Sequence, residues 1–327
     1  MKIDSKNILI TGGAGFIGSN LALYIKKKYP NCSVLIFDKF RGSQKFKNGN
    51  EISLGHYKNI KDFNDEVYCG DIISSNDLNF LSDSYNFDII FHLAAISDTT
   101  ASEQDLIIKN NLNSFNDIIK LALKHKSKLI YASSAATYGA SETVQKVGKE
   151  NPLNVYGYTK LMMDNLAKKY YNRLNIIGLR FFNVYGKNEF FKGKTASTIL
   201  QFGLQILSGE NPKLFQGSDK IFRDFIYIDD VIQCCILAAK YDSSGIYNVG
   251  CGKSRSFLEV CQILSKNLNS DLQPIYIDNP YEKQYQFFTQ ADITDTIKDL
   301  GFNPIFDLER GIQDYISEIQ TIYKNEY

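Results

Sequence analysis

The chain is predicted to be an α/β protein: a doubly wound parallel sheet with a smaller, discontinuous α/β substrate domain. Three observations carry that expectation. A short apolar run closes on a glycine cluster that opens a helical pattern, from Asn7 to Ile25. Further apolar runs then alternate with helical ones, which sets parallel strands side by side with helices on both faces. Near residue 183 the alternation breaks. Residues 1–182 with about 223–250 are therefore assigned to the sheet domain, and about 183–222 with 251–327 to the second domain.

The bulk properties narrow the function classes. At 327 residues the chain suffices for one large or two modest domains, and 44% hydrophobic with 22% charged residues is an ordinary globular composition. A formal net charge of +1 gives no global attraction to nucleic acid or to a membrane surface. Cys32, Cys69, Cys234, Cys235, Cys251 and Cys261 are scattered without a C-x-x-C pair, as suits reduced thiols in a cytoplasm. His56, His92 and His125 stand apart, so no metal site is expected. Neither a leader pattern nor a bilayer-length apolar stretch is visible, and a cytoplasmic protein is expected.

Asn7–Ile10 reads as a buried strand, followed by Thr11-Gly12-Gly13-Ala14-Gly15-Phe16-Ile17-Gly18 and a helix. In that context Gly12, Gly15 and Gly18 permit a tight turn and the close approach of a pyrophosphate to the free N–H groups of the helix. The sheet domain is thus expected to be a Rossmann-type dinucleotide binder. Ser33–Phe37 is the second strand, ending at Asp38, twenty residues after Gly18. An acid there accepts from the adenosine ribose hydroxyls and favours NAD. Lys39, Arg41, Lys45 and Lys47 follow, with Lys58 and Lys61 further on. These could neutralise a 2′-phosphate and admit NADP, or simply form a solvated basic loop.

Glu66–Cys69 is a third strand, with Asp71 and Ile72 beyond it, Asp71 placed for the adenine amino group. Phe87–Ala95 is a fourth, running into Ala94 and Ala95, small enough for backbone to lie on a flat cofactor. Lys128–Ala132 is a fifth, leading to Ser133 and Ser134. Tyr156 and Lys160 are four residues apart, which on a helix places both on one face about 6 Å apart along the axis. An ammonium beside a phenol favours the phenolate, so Tyr156 is expected to accept a proton near neutral pH. Ser134, at the carboxyl end of a sheet strand, is placed to hydrogen-bond a sugar or alcohol oxygen meanwhile. Asn175–Phe182 is a sixth strand. Beyond it come a helix over 196–208, a strand at Phe222–Ile228 returning to the main body, a helix over 229–240 and a short strand and turn at 245–250.

With the glycine turn, Ser134, Tyr156 and Lys160 assembled, the chain resembles the extended short-chain dehydrogenases/reductases, the NAD-dependent nucleotide-sugar epimerases and dehydratases, over nearly all its length. Ala132–Gly139 (ASSAATYG), Pro152–Lys160 (PLNVYGYTK), Phe182–Gly186 with Lys192–Ser197 (KGKTAS), Lys213–Ser218 (KLFQGS), Arg223-Asp224-Phe225 and Tyr285–Asp292 (YQFFTQAD) are similar to the branch acting on an ADP-heptose. The resemblance implies an isomerase that inverts C6 of the heptosyl unit by transient oxidation and re-reduction, supplying heptose for lipopolysaccharide core. It implies Tyr156 and Lys192 as acid/base residues on opposite sides of the reacting carbon. Ser134 would position the substrate, and Lys160 would hold the nicotinamide ribose and tune Tyr156.

By the same resemblance Phe16, Ile17, Asp38, Lys39, Lys45, Leu93, Ala94, Ala95, Ser97, Asn110 and Val184 would contact the dinucleotide, NADP first and NAD as the alternative. Asn183, Lys194, Gln201, Phe215, Gln216, Gly217, Ser218, Arg223 and Tyr285 would hold the ADP-heptose; a guanidinium can bridge two diphosphate oxygens. A homo-oligomer is implied, with no nucleic-acid or membrane partner. Lys187 stands where the family has proline and Thr159 where serine is common; neither removes a proposed catalytic group. A 4,6-dehydratase would need an acid pair where Ala135 and Ala136 stand. A nucleotide-sugar 4-epimerase or 4-oxidase keeps the Ser/Tyr/Lys set and is the alternative, whereas a cofactor-binding sensor would be expected to have lost it.

Overall fold

A computed structural model describes residues 3–278 and 286–327. The first half of the chain alternates strand and helix: β1 (Asn7–Thr11), α1 (Phe16–Lys28), β2 (Ser33–Asp38), β3 (Glu66–Cys69), α2 (Ser75–Ser84), β4 (Ile89–His92), α3 (Gln104–Ile107), α4 (Ser114–His125), β5 (Lys128–Ser134), α5 (Val155–Lys168) and β6 (Ile176–Phe181). The second half comprises β7 (Asn183–Tyr185), α6 (Thr198–Leu207), β8 (Lys213–Phe215), β9 (Phe222–Tyr227), α7 (Ile228–Lys240), β10 (Gly245–Val249), β11 (Ser254–Ser256), α8 (Phe257–Asn267), β12 (Ile275–Ile277), α9 (Thr294–Leu300) and α10 (Leu308–Glu326).

Seven strands form one sheet in the order β10-β6-β5-β4-β1-β2-β3, all pairings parallel. Buried on both faces, its strands read as continuous apolar runs rather than alternating ones. Ile8 and Ile10 enter the apolar layer shared with α1 and α7, while Leu9 enters the opposite layer with α4 and α5. After β3 the chain crosses back to place β4 on the other side of β1, so the strand order reverses there and a crevice opens at the carboxyl ends.

Two features of the fold lie beyond the sequence reading. β9 lies parallel to β7 and antiparallel to β11 in a separate three-stranded sheet. β10 takes the place beside β6, with Tyr247 and Val249 buried, so no main-sheet edge is left there for β9. In addition, α3 and α4 are joined by a π-helical stretch, Ile108–Asn113. The wider turn lets Asn110 line the crevice while Asn111 bonds both backbone groups of Ile96, at 2.8 and 2.9 Å. β8 pairs with β12 in a third, two-stranded sheet.

Candidate active site

The crevice is a cleft of about 640 Å³ that runs from the end of β2 to the loop after β7. Its floor is the glycine turn. Gly12 has φ +71°, and a Cβ there would lie 2.6 Å from the Ala94 nitrogen; one on Gly18 would lie 2.2 Å from the Gly12 oxygen. Only glycine allows α1 to start this close to β1. Gly15 caps α1 without a side-chain hydrogen bond and the first turn carries no acid, which leaves its N–H groups and the positive end of the helix for an anion. Gly18→Ala is expected to cost about 1–3 kcal/mol of stability through this overlap and to weaken dinucleotide binding. Thermal unfolding and a fluorescence titration with the dinucleotide would measure both.

At the β2 end the Asp38 carboxylate lines the cleft yet is 5% exposed. It accepts the Ala14 and Phe40 N–H groups at 2.9 and 2.8 Å, and burial raises its pKa. It therefore braces the glycine turn. Lys39 and Asp71 also line this end and pair at 2.7 Å. Ile72, Leu93, Ala94, Ala95, Ser97, Asn110 and Val184 line the cleft, together with Gly15, Phe16 and Ile17. Lys45 does not: it pairs with Glu51 at 3.1 Å, and Lys58 pairs with Glu326 at 2.7 Å. Of the six basic residues that follow Asp38 in sequence, only Lys39 reaches the cleft.

Ser134, Tyr156, Lys160 and Lys192 line the same cleft. Asn154 caps α5 by accepting the Gly157 N–H at 2.8 Å, which sets the helix phase so that Tyr156 and Lys160 share a face. Lys160 Nζ lies 5.8 Å from the Tyr156 ring centroid. Ser134, whose oxygen accepts the Ala136 N–H at 3.1 Å, hydrogen-bonds the Tyr156 hydroxyl. The expected lowering of the phenol by the lysine is not found. Burial raises Tyr156, and only the Ser134 bond opposes it. Lys160 instead donates to the Ala132 carbonyl at 2.8 Å.

Lys160 is itself 1% exposed, and burial pushes its pKa down to about 8, with the Asp164 carboxylate opposing. The unfolded chain would hold that proton up to its ordinary 10.5. Relative to the unfolded chain, the cost of the buried ammonium is fully present below pH 8 and relieved as pH rises towards 10.5. Urea denaturation of the cofactor-free protein at pH 7.5 and 9.5 is expected to show this rise, and Lys160→Met to remove it.

Lys192 comes from a short 3₁₀ segment, Phe190–Thr195, between β7 and α6. Burial lowers its pKa against the opposing Glu189 carboxylate, and Nζ lies 5.2 Å from the Phe16 ring centroid. Asn183 and Arg223 line the cleft from β7 and β9, the guanidinium 5.6 Å from the Phe257 ring. Lys194, Gln201, Phe215, Gln216, Gly217 and Ser218 do not line it. Gln201 spends its amide on the Lys194 and Ala196 carbonyls at 3.2 and 2.7 Å. The residues of the KLFQGS stretch sit on β8 and the turn after it, held to β12. Tyr285 lies outside the described residues.

Sequence reading missed the segment Ile52–Gly55, which has no periodicity to mark it, and Thr99, Thr195, Ser197, Thr198, Phe257 and Gln286. Thr195, Ser197 and Gln286 sit inside stretches already singled out, where the neighbouring charged or aromatic side chains drew the assignment. Among the described residues no group of three His, Cys, Asp or Glu could hold a metal ion, the six cysteines are free thiols, and no helix is long and apolar enough to cross a membrane.

A phosphate-binding turn and a Ser/Tyr/Lys set at the carboxyl ends of one parallel sheet define a dinucleotide-dependent enzyme acting on an alcohol or ketone. The sequence pattern of the NAD dependent epimerase/dehydratase family matches residues 8–250, and the chain belongs to that family. Among solved structures it is similar to the Helicobacter pylori ADP-L-glycero-D-manno-heptose-6-epimerase, at 43% identity over 98% of this chain and 97% of that one, TM-score 0.89. It is also similar to a UDP-N-acetylglucosamine 4-epimerase from Methanobrevibacter ruminantium, at 26% identity over 98% and 99%, TM-score 0.82. A UDP-glucuronic acid 4-epimerase from Bacillus cereus, in complex with UDP-glucuronic acid and NAD, matches at 26% identity over 97% and 100%, TM-score 0.83.

Proposed function

We propose that this enzyme epimerises ADP-D-glycero-D-manno-heptose to ADP-L-glycero-D-manno-heptose at C6, for lipopolysaccharide core heptose. The observation that carries the reading is that Lys192, from the loop after β7, lines the same cleft as Tyr156 from α5. Inversion through a ketone removes hydride from one face of C6 and returns it to the other, so the C6 oxygen loses its proton in one position and regains one in another. Two proton-transfer groups delivered by separate elements serve those two positions. The 43% identity to the H. pylori enzyme over 98% of the chain supports the choice of sugar.

The glycine cradle that a Cβ would fill and the uncapped N-terminus of α1 fit a pyrophosphate, so the residues present suit a dinucleotide. A bound nicotinamide dinucleotide supplies the hydride acceptor and donor. Gly12, Gly15 and Gly18 would hold its phosphates, Asp38, Lys39, Asp71 and Ile72 its adenosine, and Asn110, Lys160 and Val184 its nicotinamide half. We assign NADP, because Lys39 is the basic side chain that reaches the adenosine end; NAD is the form bound by the B. cereus relative. In the sugar subsite Ser134 orients the reacting hydroxyl, Tyr156 takes and returns its proton on one face, and Lys192 does so on the other. Asn183 and Arg223 would bind the ADP-heptose, the guanidinium by bridging diphosphate oxygens. The reading includes a cytoplasmic homo-oligomer, which size-exclusion chromatography with light scattering would test.

Purified protein incubated with ADP-D-glycero-D-manno-heptose, without added cofactor, should produce the L-glycero epimer in proton NMR spectra. No change, even after NADP⁺ and NAD⁺ are supplied, would sink the choice of sugar.

A further inference from the structure

The loop that carries Lys192 is pinned at both ends. Buried Glu189 accepts the Gly186 and Ser197 N–H groups at 3.0 and 2.7 Å and the Ser197 hydroxyl at 2.8 Å. From α1, Asn20 donates to the Lys187 carbonyl at 2.8 Å; from α10, Glu318 accepts the Asn188 N–H at 3.0 Å. These bonds fix residues 186–189 and 197. Between them the Lys192 N–H donates to the Glu189 carbonyl at 2.9 Å, the Thr195 hydroxyl to the Lys192 carbonyl at 2.9 Å and Gln201 to the Lys194 carbonyl at 3.2 Å. None of these bonds involves Phe191, and Gly193 sits at φ +57° with open space around it.

A different element holds Phe191. Arg41 Nη2 donates to the Phe191 carbonyl, and the His56 ring lies flat on the Phe191 ring, centroids 3.6 Å apart and planes 2° from parallel. Both residues are tied in turn to the phosphate-binding turn. The His56 N–H donates to the Ala14 carbonyl at 3.0 Å, as does Asn59 Nδ2 at 3.1 Å. The Arg41 N–H donates to the Gly55 carbonyl at 2.9 Å, and Gly55 lies against Asp38, the acceptor of the Ala14 N–H. A continuous path of contacts therefore runs from Ala14 to the residue next to Lys192.

We propose that Arg41 and His56 are positioning residues that transmit the register of the phosphate-binding turn to Phe191, and so hold Lys192 where it exchanges its proton. The proposal rests on the reading of Lys192 as the second acid/base group. Neither residue lines the cleft, so any effect on turnover must pass through Phe191. What His56 contributes is a flat ring rather than a charge, which makes the conservative replacement informative.

The test uses the full chain with its cofactor as purified, in four variants: Arg41→Gln, His56→Ala, His56→Phe and, as reference, Lys192→Met. Arg41→Gln and His56→Ala should lower kcat about 10-fold, the scale of a sub-ångström to ångström misplacement, with KM within about twofold. Cofactor content and unfolding temperature should match the parent. The limb of the kcat–pH profile lost in Lys192→Met should shift in these two variants, and His56→Phe should restore both kcat and that limb. Parent-like kcat in Arg41→Gln and His56→Ala, beside a loss of roughly 100-fold in Lys192→Met, would overturn the proposal and leave the Lys192 reading standing. Loss of kcat in step with lost cofactor or a lowered unfolding temperature would make the contacts merely structural and overturn it too. If Lys192→Met itself turns over within a few-fold of the parent, the underlying reading fails and the proposal falls with it.

Discussion

Tyr156→Phe is expected to lower kcat roughly 10³-fold, the middle of the range for a positioned proton-transfer group, with little change in stability or cofactor retention. The ring and its packing remain, and only the hydroxyl that hydrogen-bonds Ser134 is lost. Because burial holds the phenol protonated at neutral pH in the structure described, its oxygen begins as a donor. The negative form must be stabilised during turnover by groups that converge on it, Lys160 foremost. Burial pushes the Lys160 ammonium down to about 8, which still leaves it mostly charged at neutral pH and able to favour the phenolate. Steady-state kinetics with ADP-D-glycero-D-manno-heptose measures the effect. Turnover within a few-fold of the parent would remove Tyr156 from the mechanism.

Asp164→Ala should destabilise the fold by about 3–5 kcal/mol, the cost of leaving a buried charge without its partner. Asp164 is 0% exposed and accepts Arg180 Nε and Nη2 at 2.9 and 2.7 Å, the Tyr131 hydroxyl at 2.8 Å and the Ser133 hydroxyl at 3.1 Å. Arg180 is equally buried; its remaining contacts are Glu150 at 2.6 Å and the face of the Tyr138 ring, 5.0 Å from its centroid. Without Asp164 the guanidinium, two hydroxyls and the end of β5 lose their common acceptor. Since β5 carries Ser134 and Asp164 lies one turn after Lys160, activity should fall along with stability. Urea denaturation of the parent and of Asp164→Ala decides the matter: a loss under about 1 kcal/mol would show that the network relaxes around water or a neighbour.

What the sequence alone determined is what local chemistry encodes. Apolar runs ending in glycines marked β1 and the phosphate-binding turn, because a strand, a turn and a helix start are each set by a few adjacent residues. The four-residue spacing placed Tyr156 and Lys160 on one helical face, and the motif around Lys192 pointed to that lysine, which lines the cleft from a short 3₁₀ segment. Tertiary structure alone decided which side chains reach the cleft and what their surroundings do to them. Lys39 reaches it and Lys45 does not, through ion pairs with Asp71 and Glu51 that the spacing of lysines does not encode. β9 leaves the main sheet because β10, well after it in sequence, takes the place beside β6. Arg41 and His56 touch Phe191 across more than a hundred residues of chain. The protonation of Tyr156 is likewise a tertiary property: the sequence shows its lysine neighbour, but only the packed structure shows that desolvation outweighs it.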